Sequence, residues 1–265
     1  MSGKRVKLFT MPRIEIGNQP LFFAEHGKEQ NHPALILLHG AGSSHLVWPG
    51  ELRRLPAARV VALDLPGHGR SSAPGRRLIA HYAFSVREFI HELALLQPVL
   101  LGHSMGGAIA LEIARSEPNL AGLIIMGAAA QMRVAPALLS GCLNDFDQTV
   151  DFIVANSFAA PSPAFIVKSR TEIKATGAVT TYGDFLACSR FDIRDELASI
   201  STPTLVIGGT ADRMVPIRAV ESLVRGLPFS RLEVLEGAGH FMMLEHRQEI
   251  ARIVKAFLDD IRHRS

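Results

Sequence analysis

Five short apolar runs constrain this chain more than any other feature. They are ALILLH (34–39), ARVVALDL (58–65), PVLLGH (98–103), LAGLIIMG (120–127) and TPTLVIGG (202–209). None alternates regularly between polar and apolar residues, as a strand with one wet face would, so each reads as a strand buried on both faces. RLEVLE (231–236) is a sixth candidate strand. Between the runs lie stretches with apolar residues at helical spacing, most clearly Ile79, Tyr82, Phe84, Val86, Phe89, Ile90, Leu93 and Leu96. SMGGAIALEIARS reads as a helix that stops before Pro118, and further helices are expected at 215–225 and 241–262. Buried strands alternating with helices give a mostly parallel α/β sheet with helices on both faces. Ahead of it, RIEI, GNQP and LFFAEH (13–26) read as an antiparallel pair around a turn.

The alternation breaks from about Ala128 to Leu197. That stretch is helical in pattern, carries Phe146, Phe152, Phe158, Phe165, Phe185 and Phe191, and is interrupted by breakers such as APSPAF. The expected organisation is a core formed by 1–127 plus 198–265, with a helical cap inserted at 128–197.

Composition excludes several classes. Apolar residues are 48% and charged residues 20%, which is globular and not disordered. The 28 Lys and Arg stand against 25 Asp and Glu, scattered through the chain, so no nucleic-acid stripe is expected. Cys142 and Cys188 lack CxxC or Cys/His spacing, which points to reduced thiols and away from zinc. The stretch MSGKRVKLFTMPRIEI has no apolar core of a signal peptide. The longest apolar run, LAGLIIMGAAA, falls short of the roughly 20 residues that cross a membrane. The expectation is a cytoplasmic protein without a membrane span, its oligomeric state open.

GHSMGG (102–107) places a serine between glycines where a strand turns directly into a helix. Such a turn crowds the residues two before and two after its apex, here Gly102 and Gly106, while Gly107 lets the helix lie close to the sheet. Ser104 is left at the C-terminal edge of the strands beside a helix N-terminus, where free N–H groups collect. A serine hydroxyl needs a base within reach, and the base needs an orienting acid. Asp212 lies in TADRMVP beyond one strand, and His240 in GAGHFMMLE beyond the next, both on the edge where open α/β sheets place their sites.

The glycine-flanked serine resembles the nucleophile elbow G-x-S-x-G of the α/β-hydrolase superfamily, whose triads follow in the order Ser, Asp, His. HGAGSS (39–44) looks like the superfamily's oxyanion loop, and DLPGHGRS (64–71) resembles the turn after its next strand. The resemblance covers about 13–127 and 198–265. It implies an α/β-hydrolase fold with Ser104 as nucleophile, His240 as base and Asp212 as acid. It also implies an oxyanion hole from the backbone N–H groups of Ala41 and Met105. Asp64 competes as the acid, but Asp212 holds the expected position, and Asp64 is read as ordering its own turn. His39, His68 and His103 are read as structural.

The function implied is hydrolysis of a carboxylic ester of a small, largely apolar molecule, with no cofactor or metal. Met132, Phe241 and Met242 are expected to line the pocket. Arg133, Lys168, Arg170, Lys174 and Arg190 could meet a substrate carboxylate, although each reads first as a solvated charge. If the walls are apolar, neutral esters should be preferred, unless a cap arginine points inward. Carbon–carbon hydrolysis of ring-cleavage products, enol-lactone hydrolysis and thioester hydrolysis stay open, as does a ligand receptor on the same fold. His103 and Phe241 stand where many carbon–carbon hydrolases carry Asn and Trp, which lowers that reading.

Overall fold

The computed structural model describes residues 12–30, 33–116, 119–160 and 162–263. The signal-peptide reading of the first residues and the stop at Pro118 fall at least partly outside them. The chain runs β1 (Arg13–Ile16), β2 (Gln19–His26), β3 (Leu35–Leu38), α1 (Gly50–Arg53), β4 (Val60–Leu63), α2 (Ile79–Glu92), β5 (Val99–His103), α3 (Met105–Ser116) and β6 (Gly122–Met126). After β6 come α4 (Pro136–Asn144), α5 (Phe146–Ser157), α6 (Pro163–Thr176) and α7 (Ala178–Ser189), and then a 3₁₀ turn over Arg194–Ser199. The sheet resumes with β7 (Thr204–Gly209), α8 (Ile217–Gly226), β8 (Ser230–Leu235), α9 (Met242–Glu245) and α10 (Arg247–Arg262).

The strands form one sheet in the order β1-β2-β4-β3-β5-β6-β7-β8. The pairings β1–β2 and β2–β4 are antiparallel and the rest are parallel. Every residue of β3, β4, β5, β6 and β7 is buried, which is why these runs are continuously apolar. Successive side chains leave opposite faces of a strand. Ile36 and Leu38 therefore join the core that holds Phe89, Ile109 and Val220, while Leu35 and Leu37 join the one that holds Leu52, Val254 and Phe257. Strand order reverses at β3 and β5, and that switch point at the C-terminal edge is where such sheets form sites.

The expected single helix over 241–262 is two helices. His246 holds φ −118° and ψ 46°, outside the helical well, and separates α9 from α10. The turn before it is pinned because the Glu245 carboxylate accepts the amides of Ala159, Ala160 and Gly239.

The stretch between β6 and β7 is helical, as its pattern implies. Asp145 caps α5 through the Gln148 amide, and Ser162 caps α6 ahead of Pro163, so the APSPAF breaker is a helix start. Where the chain leaves and rejoins the sheet its two arms are hydrogen-bonded: Ile193 N donates to Ala130 O at 2.9 Å and Met132 N to Phe191 O at 3.3 Å. Among the described residues no helix is long and apolar enough to cross a membrane.

Candidate active site

Ser104 sits at the β5–α3 turn with φ +53°, a left-handed conformation that costs a non-glycine residue about 1–3 kcal/mol. The flanking glycines make the turn possible. A Cβ on Gly102 would overlap the Gly106 carbonyl, and one on Gly106 would overlap the Leu38 carbonyl. The apex is held by Ser104 N donating to Met126 O at 2.9 Å and by Gly107 N donating to Ser104 O at 2.9 Å.

Asp212 follows β7 and is buried. Its Oδ1 accepts the amides of Met214 and Val215, both at 2.8 Å, and its Oδ2 accepts His240 Nδ1 at 2.8 Å. Burial opposes ionisation of this carboxyl, but the adjoining His240 imidazole and the two amides outweigh it and hold its pKa below the usual carboxylate value. An ionised carboxylate only accepts, so the His240 proton belongs on Nδ1 and the lone pair on Nε2. His103, which precedes Ser104, donates from Nε2 to the His240 carbonyl at 2.9 Å, and the two rings lie 4.7 Å apart. A Cβ on Gly127, next after the Met126 that fixes Ser104, would sit 3.3 Å from the His240 ring. These contacts bring His240 beside the elbow. Neither Ser104 Oγ nor His240 Nε2 has a hydrogen-bond partner among the described residues; such contacts often close only when substrate is bound.

The loop after β3 lies against the serine. A Cβ on Gly40 would meet the Ser104 Cβ at 3.2 Å, and Ala41 faces the same cavity as Ser104. Met105 opens α3, so its amide is among those with no partner inside the helix. His39 ties the loop down: its Nδ1 donates to Gly40 O at 2.8 Å and its Nε2 accepts the Leu65 amide at 3.1 Å. Burial lowers the pKa of His39 to about 4 and that of His103 to about 3, which keeps both neutral. Asp64 accepts the His45 amide at 2.6 Å, His45 Nδ1 at 2.8 Å and the Arg70 amide at 2.8 Å. It orders its own loops and is not bonded to His240.

A third buried carboxylate was not legible in the sequence. Asp184 on α7 accepts the Gly42 amide at 2.9 Å, His68 Nε2 at 2.8 Å and the Tyr82 hydroxyl at 2.6 Å. His68 Nδ1 also donates, to Pro66 O at 3.0 Å. Burial works against a charged His68, yet the Asp184 carboxylate raises its pKa above the ordinary value. The inserted helices are thereby bound to the loop that carries Ala41.

A cavity of about 550 Å³ opens over Ser104. Its apolar wall includes Met132, Val134, Leu138, Phe152, Phe185 and Val215. Of the expected pocket residues Met132 lines it, whereas Phe241 and Met242 do not. Phe241 packs behind the site, its ring 5.3 Å from His103 and 5.2 Å from Phe158, and Met242 is fully buried in the core. Among the cations singled out from the sequence, Arg133 reaches the cavity. Arg170 and Lys174 pair with Asp151 and Asp147, each at 2.8 Å, and Lys168 donates to Leu46 O. The cavity gains Arg194, Arg213 and Arg218, which no motif announced.

Comparisons with known proteins agree with this fold. The family model of the alpha/beta hydrolase family matches residues 35–253. A pimeloyl-[acyl-carrier protein] methyl ester esterase of Aeromonas hydrophila is 29% identical, over 85% of this chain and 95% of that enzyme. A thermophilic esterase of known structure is 26% identical with a TM-score of 0.85, covering 94% of this chain and 97% of that one. The enol-lactonase of Burkholderia xenovorans LB400 shares the fold, with a TM-score of 0.88 at 21% identity, over 94% of this chain and all of that one (100%). The chain belongs to the alpha/beta hydrolase family.

Proposed function

We propose that this alpha/beta hydrolase is a serine esterase that cleaves a carboxylic ester of a small, largely apolar substrate through an acyl-enzyme. Ser104 Oγ attacks the acyl carbon while His240 Nε2 takes its proton. Asp212 holds the imidazole in the useful tautomer and stabilises the imidazolium that forms. The amides of Ala41 and Met105 accept the charge that develops on the carbonyl oxygen. His240 returns the proton to the leaving alcohol. Water, deprotonated by the same nitrogen, then releases the acid. The helical insertion, 128–197, caps the site and shapes the acyl pocket.

The observation that carries this reading is the 2.8 Å contact between His240 Nδ1 and the buried Asp212 carboxylate beside a strained serine elbow. Relatives named as esterases favour an ester over a carbon–carbon or thioester bond. The test is an organophosphate label located by mass spectrometry, run beside p-nitrophenyl esters of rising acyl length. An adduct on Ser104 with many turnovers per site is expected. An adduct on another serine removes the assignment, and one slow turnover per site would point to a ligand receptor.

A further inference from the structure

The cavity wall has an uneven charge. Arg133, Arg194, Arg213 and Arg218 line it, and no Asp or Glu does. In the chain as a whole the signs nearly balance, with 28 cations against 25 anions, so the asymmetry belongs to this wall. The four arginines come from three places: the start of the insertion, its return to the sheet, and the loop and helix after β7. Arg194 is neutralised by Asp192 at 2.7 Å, and Arg133 donates from Nε to the Gln131 amide oxygen at 3.1 Å. Among the described residues no carboxylate pairs with Arg133, Arg213 or Arg218.

Arg218 is also placed against its own helix. It lies in the first turn of α8, which has no acidic residue and no side-chain cap. The positive end of a helix dipole disfavours a cation there. Arg218, Ala219, Ser222 and Leu223 form the face of α8 turned to the cavity, so the arginine and the helix end add their fields at one wall. All three unpaired guanidinium-bearing residues are exposed, whereas the apolar residues Met132, Leu138 and Phe185 are buried. The cavity is therefore apolar in its depth and cationic at its outer wall.

We propose that Arg133, Arg213 and Arg218 form an anion subsite, so that the ester cleaved at Ser104 carries a carboxylate or a phosphate at the end remote from the scissile bond. Guanidinium groups pair bidentately with both anions. This rests on the esterase reading above and names the substrate class of the same site.

The test uses p-nitrophenyl acyl esters of one chain length that end in methyl, carboxylate or phosphate. One of the anionic esters is expected to exceed the methyl ester at least about tenfold in kcat/KM, and which one does separates the two sources of charge. Arg213→Gln and Arg218→Gln should each lower that ratio about three- to tenfold. Added salt should lower it too, since exposed charges are screened. Equal or faster turnover of the methyl ester, or a ratio indifferent to both substitutions, overturns the subsite. Calorimetry with the matching uncleavable amides decides the question without turnover. If no ester is cleaved but the anionic amide binds at least about tenfold tighter, the subsite stands and the esterase reading falls. If both amides bind alike, the subsite falls.

Discussion

Of the three buried carboxylate–imidazole pairs among the described residues, each in contact at 2.8 Å, His68–Asp184 and His240–Asp212 differ in what the other ring nitrogen meets. His68 donates from both nitrogens, to Asp184 and to the Pro66 carbonyl, and has no lone pair left to act as a base. His240 donates to Asp212 and keeps Nε2 without a partner among the described residues, beside the Ser104 elbow. The first pair ties α7 to the loop after β4; the second holds the imidazole for which we propose the role of base. What separates the fastener from the proposed base is the hydrogen-bond inventory around the ring, not the presence of an Asp–His pair.

The sharpest way to break this contrast is to remove each centre in turn. Ser104→Ala and His240→Ala should each lower kcat by about 10³- to 10⁶-fold with little change in melting temperature. His68→Ala should do the reverse and chiefly lower stability. Kinetics and thermal melts on the same preparations decide, and a His68 variant that melts normally but is catalytically dead would invert the assignment.

The carboxylates come next. Asp212→Asn should cost about 10⁴-fold in kcat, because the imidazole loses the partner that fixes its tautomer. Asp64→Asn, which disturbs the bonds to His45 and Arg70, should act mainly on stability. Equal kinetic losses would show that the acid is not Asp212 alone.

Asp184→Leu leaves the buried His68 without its anion and the Gly42 amide without its acceptor. Breaking one partner of a buried pair costs about 3–5 kcal/mol, or about 10 °C in melting temperature for a chain of this size. The expected loss of kcat per folded molecule is under about 10²-fold. Circular dichroism melts and active-site titration separate the two quantities.

A smaller effect follows from pH. His68 has a raised pKa in the folded state, so its contribution is complete below the unfolded value of about 6.5 and fades as pH rises through the folded value. His39 and His103, lowered to about 4 and about 3, act in the opposite sense and lose stability as pH falls below about 6.5. The melting-temperature gap between wild type and His68→Gln should therefore be widest on the acid side and narrow above neutrality. A gap that widens with pH would mean that His68 is neutral in the fold.

The smallest effect is read in the acyl pocket. Each methylene that fits should gain up to about 0.8 kcal/mol, or roughly fourfold in kcat/KM, until the wall formed by Leu138, Phe152 and Phe185 is reached. A flat series would mean that the acyl chain lies outside the cavity.

The sequence determined the parts governed by local sterics and by burial on both faces of a strand. Continuous apolar runs became β3 to β7, and Gly102 and Gly106 left only one way for the chain to turn at Ser104. Asp212 and His240 were legible because each directly follows a strand of known direction, so the strand sets the edge on which its residue emerges. The remaining features depend on contacts between segments far apart in the chain. Asp184 meets Gly42 across 142 positions and His68 across 116, and no periodicity in α7 marks that residue as different from its neighbours. Phe241 adjoins His240 yet packs behind it, while Phe152 and Phe185 face the cavity, a choice made by how the inserted helices settle on the sheet. The arginine wall is likewise invisible along the chain, because its charge is assembled from three separated segments. Only the tertiary fold sets the distances between them, and charge interactions depend on those distances rather than on sequence spacing.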